Sequence, residues 1–289
     1  IQEPAHIVAS GHNPNQDAWT IRFHTDQTEL RAILLEVLQH DSLPMNGPGR
    51  AGNGNMILSG IRAEIAPTSH PERVQPLEFV WAWADAEQAN DDFRVVNALR
   101  PESGKMWAIN AHQDRADRHA IFVSERPFGF DDGTEITIHL SFESPYPQHT
   151  PGHLGLQLGQ ATDLALDRLA TAKSNWYIVG PFAAANGDEA YDTIFGPEAH
   201  GPLDFDSTWK GQSWRYAPGV LEGEVVSLAQ GIGAEYVARE IWSPTPRTEQ
   251  LSMGSDDGLQ VYVNGSLIHE ARVDRGAAPD QEQVVFDIP

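Results

Sequence analysis

The chain has 289 residues and no cysteine, and 41 acidic against 19 basic side chains give it a formal charge of −22. That balance argues against nucleic acid and anionic membrane as partners, because both are gripped by clustered Lys and Arg; an anionic polysaccharide would be repelled too, unless a divalent cation bridged the two. The missing cysteines exclude disulfides and thiolate metal sites without fixing a compartment, and no apolar stretch reaches the length of a membrane span.

Taken in chain order, short alternating runs dominate. "WTIRF" sets Trp19, Ile21 and Phe23 on one face, the period of a half-buried strand. "LRAILLEVL", residues 30 to 38, could be helix by composition, but its β-branched residues and its neighbours favour a buried strand. "LEFVWAW" aligns Leu77, Phe79, Trp81 and Trp83 on one face; Trp81, Trp83 and Trp107 could be sugar-stacking platforms but, as strand tryptophans, are expected in the core. "EITIHLSF" is the clearest run, with Ile136, Ile138, Leu140 and Phe142 facing one way, and "HLGLQL" repeats the pattern with Leu154, Leu156 and Leu158. Clusters of Gly, Pro, Asn and Asp separate these runs, as turn chemistry does in an all-β sandwich or barrel. "TDLALDRLATAK", residues 162 to 173, is the best helix candidate, with Thr162 placed as an N-cap. The β pattern stops and restarts there. The expected organisation is therefore a β-sandwich over 1–160, a connector over 161–174 and a second β domain over 175–289. Near the end, Leu259, Val261 and Val263 alternate before Asn264-Gly265, the dipeptide that best fits a two-residue type I′ turn. That register sets Tyr262 opposite Leu267 and Val261 opposite Ile268. The last residues, "VVFDIP", read as a strand cut short.

Two segments carry a family resemblance. "LLEVLQHDSLPMNGPGRAGNGNMILSGIRAEIAP" and "FRVVNALRPESGKMWAIN", within Leu34 to Leu158, resemble a sugar-binding-like module of planctomycete multidomain surface proteins, the chains that carry a planctomycete-type cytochrome c domain. "WYIVGPF", "AYDTIFGPE", "YVAREIWS" and "LSMGSDDGLQVYVNG" resemble the module that follows it, which is similar to jelly-roll lectins of the protective-antigen type. The resemblance implies two tandem jelly-roll, galactose-binding-like domains and a binding role. Haem is not carried over, because the chain has no C-x-x-C-H.

Candidate sites follow, each beside its plainer alternative. In the lectins that the second half resembles, an Asp-Asp pair binds calcium, and two carboxylates with carbonyls and hydroxyls suit that ion. Asp256 and Asp257 hold this position. The alternative is a turn in which the aspartates accept backbone N–H bonds. Asn264 sits too far along the strand to share an ion with them, roughly 17 Å by strand rise. "HDSLPMNGPGRAGNGN" could hold a structural calcium through Asp41, Asn53, Asn55 and converging carbonyls, or be a rigid loop. Its G-x-G-x-x-G, Gly47, Gly49 and Gly52, is rejected as a dinucleotide site because no helix follows. Trp209 and Trp214, in the polar "DSTWKGQSWRY", are sugar-stacking platforms with Arg215 gripping a hydroxyl, or else core. His149 and His153 have ligand spacing only on a helix, which Pro151 and Gly152 forbid.

The resulting expectation is a non-catalytic, calcium-stabilised, glycan-binding module of an exported or cell-surface protein, periplasmic localisation being an alternative. Its partners are then a polysaccharide and other domains of a parent chain. A structural or assembly module is the second expectation, and a polysaccharide-cleaving enzyme the third.

Overall fold

The structure is a computed structural model that describes residues 5–199, 203–228 and 231–289. It is all-β: the longest helix among the described residues, Gly187–Asp192, has six residues. The chain forms two compact units. One contains the described residues up to Ser174 together with Ile241–Thr245; the other contains Asn175–Glu240 with Pro246–Pro289. The segment expected as a connector thus belongs to the first unit, and the chain re-enters that unit at 241–245.

In the first unit two antiparallel sheets share one core. Five strands run in the order Ala5–Val8, His153–Gln160, Leu30–Val37, Arg118–Phe128, Phe79–Ala84, and four in the order Asp17–Thr25, Thr134–Phe142, Gly60–Pro67, Gln75–Leu77. Alternation does what period two requires: Ile136, Ile138, Leu140 and Phe142 are buried against Ile33, Leu35, Phe122 and Leu154 of the opposite sheet. Leu30–Val37 is a strand, as its β-branched residues and its neighbours favour, buried at alternate positions.

The expected helix shrinks to one turn, Asp163–Leu166, capped by the Thr162 side chain accepting from the Ala165 N–H at 3.3 Å. The rest of that segment follows tertiary contacts instead of helical propensity. Ala172–Lys173 pairs with Ile241–Trp242, and the Trp81 indole N–H donates to the Ala170 carbonyl at 3.0 Å. Leu166 and Leu169 then pack on Trp81 and Val123.

The tryptophan phase is the second departure. Phe79 packs on the core, its ring 5.8 Å from that of Phe122. A register irregularity follows, with Phe79 opposite Ser124 but Trp81 opposite Val123. One inserted residue reverses which face later side chains take. Ala82 and Ala84 therefore enter the core, while Trp81 and Trp83 go to the other face of the sheet, where Trp83 is 48% exposed. The expectation that Trp83 is core is thereby corrected; Trp81 and Trp107 are buried.

The second unit has small sheets: Arg215–Tyr216, Tyr177–Ala183 and Gly233–Ala238 form one, and Arg247–Met253 with Glu282–Ile288 another. Its fully buried apolar cluster is Tyr177, Val179, Phe182, Phe195 and Trp214. The hairpin Leu259–Val263/Ser266–Ala271 turns at Asn264 and Gly265, both with positive φ, and pairs Tyr262 with Leu267 as expected. A bulge moves Val261 opposite His269 rather than Ile268.

Candidate functional site

The Gly-rich loop uses its own oxygens. The carbonyls of Gly54, Ala51, Pro44 and Pro48 accept from the N–H groups of Gly49, Gly54, Gly47 and Gly152 at 2.8 to 3.0 Å. Gly49 is required by that fold-back, since a Cβ there would lie 2.0 Å from the Asn55 carbonyl oxygen. Asn53 accepts the Asn55 N–H at 3.0 Å, which makes a local turn. Asn55, only 3% exposed, accepts from the Ala111 N–H at 3.0 Å and donates to Gln88 at 3.2 Å. Its amide ties the loop directly to the segments at Gln88 and Ala111, and Asp41 is exposed to solvent. Carbonyls that were expected to converge on an ion are thus paired within the loop.

At the second expected metal position, the Asp257 carboxylate accepts the Arg275 N–H at 3.2 Å, and its carbonyl accepts from the Ser255 hydroxyl at 2.5 Å. The Arg275 guanidinium itself bonds Ser255 and, at 2.7 Å, Glu282. Asp256 is exposed, and the Asp256–Asp257 peptide is cis. Gly258 lets the ring of Tyr191 lie against the chain, since a Cβ there would meet Cδ2 and Cε2 at 3.0 Å. Among the described residues no group of three or more His, Cys, Asp or Glu side chains is arranged to hold a metal ion.

Of the expected platforms, Trp214 is corrected. Trp214 is 8% exposed, its ring edge-on to Phe205 at 5.4 Å, and offers no face to a sugar. Trp209 is half-buried and lies over Gly196, where a Cβ would meet its ring at 2.4 Å. Arg215 is exposed but donates to the Gly180 carbonyl at 3.0 Å and pairs with Glu235 at 3.4 Å.

A different surface gathers the features that a sugar-binding face needs. It is the outer side of the five-stranded sheet, built by the strand residues that alternate with the core. Register sets two cross-strand rows. His6, Gly155, Glu36 and His119 form one, with Asp85 beyond His119; Gln157, Leu34, Ile121 and Trp83 form the next. Trp81 and Val123 begin a third, which the 161–174 segment covers. Trp83 stands at the border of that cover.

The polar row is organised. Asp85 Oδ1 accepts the His119 backbone N–H at 3.0 Å while Oδ2 lies 3.0 Å from His119 Nδ1. This network assigns the imidazole proton to Nδ1. His119 Nε2 stands 3.8 Å from Glu36 Oε1. Glu36, its side chain 12% exposed, lies across bare backbone at Gly155, where a Cβ would come within 2.6 Å of Oε2, and that oxygen is sealed with no hydrogen-bond partner. His153, which sequence spacing coupled to His149, instead meets His6, with His6 Nδ1 3.0 Å from His153 Nε2.

An exposed indole beside fixed carboxylates, imidazoles and an amide can do two things for a glycan: the indole face stacks on the C–H face of a pyranose, and the polar row meets its hydroxyls. Sequence reasoning missed Trp83, Glu36, His119 and Asp85. The signal for Trp83 is the small Ala82 and Ala84, which only a crowded inner face would demand. Set against known proteins, the chain matches no family model, no curated protein and no solved structure. What the surface can do is therefore read from its own chemistry.

Proposed function

We propose that the chain is a non-catalytic carbohydrate-binding module of a larger exported or cell-surface protein, and that the outer face of its five-stranded sheet receives the glycan. The observation that carries this reading is Trp83, a large aromatic side chain 48% exposed on a rigid sheet, bordered by Ile121 and one row from Glu36, His119 and Asp85. Exposed aromatic surface rimmed by polar groups marks binding sites.

The jelly-roll form of the first unit is part of the proposal. What supports it is the strand order. If Phe79–Ala84 is set aside as an added edge, the remaining eight strands number first, eighth, third, sixth in one sheet and second, seventh, fourth, fifth in the other. That is the interleaving of two Greek keys wound together. The second unit is assigned to the same class on its family resemblance alone. Calcium enters the proposal as an aid to stability, through Asp256 and Asp257.

The test is affinity electrophoresis against neutral polysaccharides, with and without chelator. Retardation is expected, with Trp83→Ala weakening it about tenfold or more and leaving the melting temperature in place, because truncating an exposed aromatic anchor removes contact without opening the core. Chelator is expected to lower the melting temperature. Absence of retardation by every polysaccharide, together with concentration-dependent association in light scattering, would replace the glycan reading with an assembly module.

A further inference from the structure

The second unit carries a cleft of about 510 Å³, distinct from the sheet face of the first. One wall is a single face of the hairpin: Gln260 and Tyr262 on its first strand, Glu270 opposite Gln260, and Arg272 just beyond. The other wall is the end of the helix Gly187–Asp192 with Thr193 and Ile194, and Glu198 closes the inner end.

The charges in this cleft are arranged asymmetrically. Among the described residues Arg272 is the one cation on its lining, and it is occupied: it donates to both oxygens of Asp192 at 2.8 and 3.1 Å and to Asp188 at 2.6 Å, lying 5.0 Å from the centre of the Tyr191 ring. Two carboxylates hold it away from an incoming anion. Glu198 is buried and anchored by the Phe195 and Gly196 N–H groups at 2.9 Å and by the Tyr236 hydroxyl at 2.7 Å. Glu270, by contrast, is exposed, and its carboxylate makes no hydrogen bond or ion pair to another described residue. The two lining phenols sense these acids. The Tyr262 hydroxyl is pushed up from its ordinary pKa, first by burial and then by Glu198 and Glu270; that of Tyr191 is pushed up by burial and then by Glu270. The Tyr191 hydroxyl is also sealed from solvent.

We infer that this cleft binds an organic ammonium group. Negative carboxylates beside tyrosine faces are the chemistry that recognises such a cation, through direct charge and through the ring quadrupole. The Tyr262 hydroxyl, which donates to Gln260 Oε1 at 3.0 Å, keeps an acceptor site for a neighbouring polar group. Resting on the glycan reading above, the ligand class is a saccharide whose 2-amino group is free, as in a glucosamine oligomer, and a second site of that kind would raise avidity for a partly deacetylated chain.

Isothermal titration with a glucosamine tetramer and with its fully N-acetylated counterpart separates the two ideas. The free-amine tetramer is expected to bind at least about tenfold more tightly at low salt, where screening is weak. Glu270→Gln should abolish that preference, while Glu224→Gln, an exposed carboxylate outside the cleft, should leave it intact. Equal affinity for both tetramers, lost in Trp83→Ala, would overturn the ammonium site and keep the sheet-face reading. Equal weakening by Glu270→Gln and Glu224→Gln would overturn the site in favour of diffuse attraction by the chain's −22 charge. Binding of neither tetramer would overturn it as well.

Discussion

The strands Thr134–Phe142 and Arg247–Met253 alternate with the same period, yet they end differently. In the first unit every inward position of Thr134–Phe142 is buried, because a second sheet of five strands covers it. In the second unit the inward positions of Arg247–Met253 and of its partner Glu282–Ile288 are only half-buried. Their sheet has two strands. Period sets which way a side chain points, whereas depth of burial depends on what lies above it. Two-stranded ribbons have little to offer there. The surfaces follow the same division. The first unit offers the outer face of a five-stranded sheet with an exposed indole; the second offers a cleft between a hairpin and a short helix, with charge as its main resource.

The contrast in packing predicts a contrast in mutational cost, and the largest effect is expected in the core. Phe122→Ala removes a fully buried ring and should lower unfolding free energy by about 3–5 kcal/mol in urea denaturation. Val284→Ala, half-buried in the second unit, should cost about 1 kcal/mol or less. Similar costs at the two positions would break the comparison.

Next in size is the fold-back loop. Gly49→Ala drives a Cβ into backbone and should cost about 2 kcal/mol or more, while Gly276→Ala, with open space around it and no positive φ, should stay within about 0.5 kcal/mol. Calorimetry on both variants sharpens the point, since each loses a glycine but only one loop leans on its absent side chain.

The smallest effect is in pH, and its sign differs between the units. Glu282 is held below the ordinary glutamate value of 4.5, chiefly by its hydrogen bond from Arg275, so its support is present above 4.5 and lost as pH falls through its lowered value. Glu87 is pushed the other way, chiefly by burial, so its contribution is complete below 4.5 and lost as pH rises through its raised value. Acidification from neutrality should therefore weaken the second unit at Glu282 and relieve the first at Glu87. Glu282→Gln should flatten the acid limb of a melting-temperature profile, and Glu87→Gln should flatten the limb approaching neutrality.

The residues themselves determined a good deal. Alternation at 19–23, 30–38 and 134–142 and the Asn264-Gly265 turn each follow from local sterics and period, so the all-β class was legible without coordinates. The site was not. One extra residue between Phe79 and Trp81 turned Trp83 from an expected core residue into an exposed one, and such a bulge is set by pairing with a strand some forty positions later in the chain. His119, Glu36 and Gly155 come from three strands and Asp85 from just past the end of a fourth, and only register brings them together. Likewise the oxygens of the Gly-rich loop read as ligands until the backbone N–H groups that occupy them are placed. Local chemistry says what a segment can do, but which partner reaches it first is decided by contacts between residues far apart in sequence, and those contacts exist only once the chain has folded.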